Sequence, residues 1–162
     1  MKFRMVDRIL HWESRRGIRG VKAVSFEEYQ LKAPFGGEVQ LPETLLMEAL
    51  FQLGNWLIVL SSDFTRMGLL VRFEEVAFHE PLRPGQHLTM DVNVVAYRDD
   101  GMLFDGEAAA GGRRIVSGRS CLATPVDLAD FHDPDDLRVL FSEIHRPLEK
   151  GPDEQGGEKN AR

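Results

Sequence analysis

The chain has one cysteine, Cys121, in 162 residues, so no disulfide can close within it. That usage fits a reducing, cytoplasmic setting. Long apolar runs are also missing. The longest, Trp56 to Leu60, falls far short of the roughly 20 residues that cross a bilayer, and no membrane span is expected. Arg4, Asp7 and Arg8 interrupt the opening "MKFRMVDRILHW" where a secretory signal would be apolar. Positive charge is not in excess, with 20 Lys and Arg against 26 Asp and Glu. No basic stripe interleaved with aromatics appears, which argues against nucleic acid. No His, Cys, Asp and Glu cluster has ligand spacing, so no metal is expected. No glycine-rich strand-to-helix turn suggests a nucleotide cofactor. Ser117 and Ser120 lack the G-x-S-x-G pattern of a nucleophile elbow, and Cys121 reads as a core residue.

What is present is the composition of one ordinary globular domain, 43% hydrophobic and 28% charged. Val6 to His11 reads as a short helix or a strand, and Ile18 to Phe26 alternates as a strand. After a loop over 27–41, Pro42 suits a first helical position and an apolar helix should run to about Leu60. Leu69 to His79 reads as one strand. Leu88, Met90, Val92 and Val94 alternate with polar residues as another. Asp99, Asp100 and Gly101 make a turn, and Gly111-Gly112 signals a two-residue hairpin between the last strands. The pattern is α+β, a helix packed on an antiparallel meander, filling residues 1–125. Residues 126–147 form an acidic extension with six acids against two bases. There Asp133-Pro134 caps a short helix carrying Leu137, Leu140, Phe141 and Ile144 on one face. Residues 148–162 have almost nothing apolar to bury and are expected to lack a fold.

The long helix is apolar around most of its circumference. Its polar residues Thr44, Glu48, Gln52 and Asn55 fall within an arc of roughly 80°. Either this is a solvent face, or it is a polar seam in a cleft in which Gln52, one turn on, hydrogen-bonds the Glu48 carboxylate.

Four segments point the same way. "RMVDRIL", "LPETLLMEALFQ", "VAFHEPLRPGQHLTMDV" and "GEAAAGGRRIVSGRSCLA" resemble, in order, segments of the 3-hydroxyacyl-acyl-carrier-protein dehydratases of bacterial fatty-acid synthesis. The resemblance covers roughly residues 4–124. It implies the hot-dog fold, a long helix wrapped by an antiparallel sheet. It also implies a homodimer or higher oligomer, and an acyl thioester of acyl carrier protein or coenzyme A as substrate. Within the helix pattern Pro42, Leu45, Glu48, Ala49 and Gln52 are retained, which implies Glu48 as the catalytic acid. In that family the acid works with a histidine in a loop before the helix, acting as base on C2. Here that loop falls on Ala33 to Gly37, where Phe35 and Gly37 are retained as substrate-binding positions beside Gln52, but Pro34 takes the histidine's place. Proline has no titratable group. Of the five histidines, none is expected in the cleft. The resemblance therefore implies slowed or lost dehydration. A thioesterase using Glu48, or a non-catalytic acyl-binding or partner subunit, stands beside it. Arg113, Arg114 and Arg119 could present positive charge to an acidic carrier.

Overall fold

The computed structural model describes residues 4–27, 31–33 and 37–147. Its elements are β1 (Arg8–Glu13), β2 (Gly17–Ala23), α1 (Glu43–Ser61), β3 (Arg66–Arg72) and β4 (Glu75–Phe78). They are followed by β5 (His87–Arg98), β6 (Gly101–Ala110), β7 (Arg113–Asp127) and α2 (Pro134–Ile144). All described strands join one antiparallel sheet ordered β1-β2-β5-β6-β7-β3, with β4 also on β7. This is the hot-dog arrangement, α+β as the resemblance implies.

The β5-β6-β7 meander forms as the alternation predicts, and its last hairpin turns on Gly111 and Gly112, with φ of 57° and 77°. Both values lie in the region a Cβ disfavours. The first segment, read as a helix or a strand, is the strand β1. The single strand expected over 69–79 is instead two, β3 and β4, which pair with different stretches of β7. The break has a local cause. Opposite Asp105, β7 carries two residues, Arg119 and Ser120, where the β6 pairing shifts register. Ser120 takes a positive φ of 50°, and its N–H donates to Asp105 Oδ1 at 2.9 Å. That bond, with the Arg119 guanidinium behind it, holds the Asp105 carboxyl below its usual range. β7 bends at this bulge, so no one straight strand can follow its outer edge.

Pro42 caps α1 rather than starting it; its carbonyl accepts from the N–H of Leu45 at 2.9 Å and of Leu46 at 3.3 Å. By length and hydropathy α1 could cross a membrane. Here the sheet wraps it, and Leu46, Ala49, Leu50, Leu53, Leu57 and Ile58 are buried. Glycines let the helix sit close. A methyl at Gly68 would stand 2.5 Å from Ile58 Cδ1, and one at Gly54 only 3.1 Å from Phe104 Cζ.

The extension docks at both ends. Leu128 N–H donates to the Thr65 carbonyl at 3.0 Å, and Arg146 N–H to the Ile9 carbonyl at 2.9 Å. Between them α2 starts as expected, Asp133 Oδ1 accepting from Asp135 N–H at 2.9 Å. Phe141 meets Trp56 and Phe64, each with ring centroids 6.1 Å away, and Trp12 at 6.5 Å. The tail over 148–162, expected to lack a fold, lies outside the described residues.

Candidate functional site

The polar residues of α1 after its first turn are not a solvent face. Glu48, Gln52 and Asn55 are half-buried; only Thr44 is exposed. Two of the three serve as tethers. Gln52 Oε1 accepts from Met5 N–H at 2.8 Å, and Asn55 Oδ1 accepts from Gly68 N–H at 2.7 Å. Gln52 also donates through Nε2 to Glu48 Oε1 at 2.8 Å. The backbone of Met5 thus fixes which way the Gln52 amide points, and the amide fixes the carboxylate. A carboxylate accepts about four hydrogen bonds, so this one keeps capacity for a ligand.

Glu48 borders two hollows that meet along this seam. One, about 420 Å³, lies against β3 and is lined by Phe51, Met67, Leu69, Leu70 and Phe104. The other, about 320 Å³, runs beside α1 toward the extension. Its polar end holds Glu48, Gln52, Asn55 and Arg4; its walls are Trp56, Val59, Leu128, Leu137 and Leu140. Apolar walls with a few convergent polar groups, at these volumes, are the ordinary make-up of a small-molecule site.

His132 also lines the second hollow, against the expectation that no histidine would. Its backbone N–H bonds the Leu128 carbonyl at 2.9 Å, and Leu128 is bonded to Thr65, past the end of α1. His132 therefore belongs to the far end of the hollow. Among the described residues no histidine is hydrogen-bonded to Glu48. His79 is exposed, with Nε2 at 3.1 Å from Ser117 Oγ.

The other expected site residues sort differently. Pro34 and Phe35 lie outside the described residues. Gly37 is exposed and lines neither hollow. The arginines considered for carrier docking face acids: Arg113 is 3.1 Å from Glu80, Arg114 3.5 Å from Glu107 and Arg119 2.9 Å from Asp105. Among the described residues no group of three or more His, Cys, Asp or Glu side chains could hold a metal.

Residues 1–119 match the FabA-like domain. The chain belongs to the FabA-like domain family. Among curated proteins, 3-hydroxyacyl-[acyl-carrier-protein] dehydratase FabZ of Yersinia enterocolitica is 33% identical over 148 residues, covering 90% of this chain and 84% of the relative. FabZ of Aliarcobacter butzleri is 29% identical over 115 residues, covering 67% and 78%. Among solved structures, smu.793 from Streptococcus mutans bound to acetyl CoA superposes with a TM-score of 0.59 at 10% identity, covering 74% of this chain and 88% of that one. The E. coli PaaI protein of the phenylacetic acid degradation operon gives 0.57 at 13%, covering 72% and 81%. These structures share the fold.

Family membership does not make every polar core group a reacting one. Cys121 is buried at 1% exposure, and burial pushes its thiol up to about 11. At pH 8 about one molecule in a thousand would carry the thiolate that reacts. Iodoacetamide at that pH should leave the folded protein unlabelled and add one carbamidomethyl group in denaturant, read by intact mass.

Proposed function

We propose that this protein adds water to, or removes it from, an acyl thioester, with Glu48 as the proton-transfer group. The observation that carries this reading is the Glu48 carboxylate itself. It is half-buried, oriented by Gln52, and placed where two apolar-walled hollows meet. The dehydratase relatives support the same chemistry. The substrate is a 3-hydroxyacyl or trans-2-enoyl thioester of acyl carrier protein or coenzyme A, in a cytoplasmic setting.

One carboxyl group can complete the step. In dehydration the Glu48 carboxylate takes the proton from C2 and hands that same proton to the departing C3 hydroxyl. The C2–H electron pair becomes the C2=C3 bond, the C3–O bond breaks, and water leaves. Glu48 ends with the proton count it began with, and hydration is the reverse. Without a second positioned base, turnover should run about 10²–10⁴ below that of a site with both groups.

The test is purified protein with crotonyl-CoA, following enoyl absorbance and free thiol together. Loss of absorbance without thiol supports the reading. Thiol release would instead mean hydrolysis by the same carboxylate. No change in either would leave acyl binding without turnover.

The working unit in this reading is a dimer. Among the described residues β3 is a sheet edge, bonded only to β7, and it exposes Leu69 at 43% and Val71 at 62%, with Phe73 beyond it at 48%. An unpaired apolar edge of this kind is rare on a monomer. Antiparallel pairing of the edge with a second copy satisfies its backbone and a two-fold axis together. The partner would also roof the hollow lined by Met67, Leu69 and Leu70. Val71→Glu should halve the mass measured by light scattering; an unchanged dimer would place the interface elsewhere.

A further inference from the structure

The 320 Å³ hollow is built by two parts of the chain. Its polar end comes from α1 and Arg4, within the span that matches the family. Its far wall, Leu128, Leu137 and Leu140, comes from the extension, beyond that span. The wall is fixed in place. Backbone hydrogen bonds tie the extension to Thr65 and Ile9, and Phe141 is clamped among Trp12, Trp56 and Phe64. Arg138 adds a pair with Asp63 at 3.0 Å and lies 4.4 Å over the Phe64 ring. Such a clamp makes α2 a stationary wall rather than a loose flap.

Along α1, Glu48, Gln52, Asn55, Trp56 and Val59 all border the hollow. With a rise of 1.5 Å per residue, Val59 lies about 16 Å along the axis from Glu48. The lining changes along that line. Carboxylate and amides come first, then Trp56 and Val59 facing Leu137 and Leu140. Apart from His132, which is exposed at the far end, polarity falls away from the reacting group, as a ligand with one polar head and a linear apolar tail requires. The Phe141 ring, its centroid 6.1 Å from that of Trp56, braces this part of the wall.

We propose that the extension sets acyl chain length: an unbranched, medium-length acyl chain lies along α1 from Glu48, its tail held between Trp56 and Val59 on one side and Leu137 and Leu140 on the other. This rests on the acyl-thioester reading above. Each methylene moved from water to an apolar site is worth about fourfold in affinity. A chain reaching Leu140 should therefore be favoured over a four-carbon chain on the order of a hundredfold, with part of the added length left in water.

The experiment compares trans-2-decenoyl-CoA with crotonyl-CoA by kcat/KM, and measures binding of the non-reacting decanoyl-CoA by calorimetry. The variants are Leu140→Trp, which fills the hollow, and Val139→Trp, which adds the same ring to the exposed side of α2. The expected result is a decenoyl-to-crotonyl ratio that falls at least tenfold in Leu140→Trp and holds in Val139→Trp. Decanoyl-CoA affinity should follow the same order. A ratio unmoved by Leu140→Trp overturns the proposal, as does the same fall in both variants. Should wild type bind decanoyl-CoA but turn over neither enoyl thioester, the hydratase reading fails, and loss of binding in Leu140→Trp alone still supports the extension's role. Wild type that does not bind decanoyl-CoA overturns it.

Discussion

Glu48→Gln should lower kcat/KM for enoyl hydration about 10²–10⁴-fold while leaving the fold intact. The substitution keeps shape and volume and removes the group that holds a proton. The new amide oxygen can still accept from Gln52 Nε2, whose Oε1 remains bound to Met5 N–H, so the tether from α1 to the N-terminal segment survives. Thermal midpoints of the two proteins should agree within a few degrees. The loss should fall on kcat more than on KM, because the missing proton transfer belongs to the transition state. Gln52→Leu is the informative companion. It strands the Met5 N–H and frees the carboxylate to rotate, so it should cost both stability and rate, with a smaller rate effect than Glu48→Gln. If Glu48→Gln hydrates crotonyl-CoA as fast as wild type, Glu48 is a structural acceptor and the catalytic reading is wrong.

Much of this site is legible in the sequence, because its central pair is local. Glu48 and Gln52 are four residues apart on one helix, a spacing that makes side chains neighbours. The capped start of α2 at Asp133 and the Gly111-Gly112 hairpin are local for the same reason: one or two backbone angles and one side-chain bond define them. What escaped is what the chain brings together from afar. Alternation finds a strand but not its neighbour, so nothing in residues 66–78 tells that β3 and β4 return to the outer edge of β7. That edge is the one left once β2 occupies β5 and β6 lies between β5 and β7. The same holds for the pocket. Leu137 and Leu140 were legible as one face of an amphipathic helix, but a face does not name what it covers. That they face Trp56 and Val59 depends on the Phe141 clamp, whose four rings come from β1, α1, the turn after α1 and α2. Asn55 shows the limit most plainly. It belonged to the polar stripe, yet its oxygen holds the β3 backbone at Gly68, 13 residues away in sequence.

The largest effect on stability should come from Phe104, and it can be separated from a simple loss of volume. Phe104 is 2% exposed, its ring lies over Gly54 of α1, and its edge meets Phe51 with centroids 6.5 Å apart. Phe104→Ala should cost about 3–5 kcal/mol, combining lost burial with the cavity left behind. For a chain of this size that is a fall of roughly 10 °C or more in thermal midpoint. The contact with Gly54 makes the second half of the prediction. In wild type a methyl at Gly54 would stand 3.1 and 3.3 Å from two ring carbons, so Gly54→Ala trades a helix-propensity gain of about 1 kcal/mol against a ring that must shift. In the Phe104→Ala background the ring is gone and only the gain remains. Gly54→Ala should then recover about 1 kcal/mol there while being neutral or destabilising alone, a coupling that a double-mutant cycle of thermal or urea unfolding measures directly. Additive behaviour would mean that α1 does not rest on Phe104. In that case neither the depth of α1 in the sheet nor the floor of the hollow beside Glu48 is set by this ring.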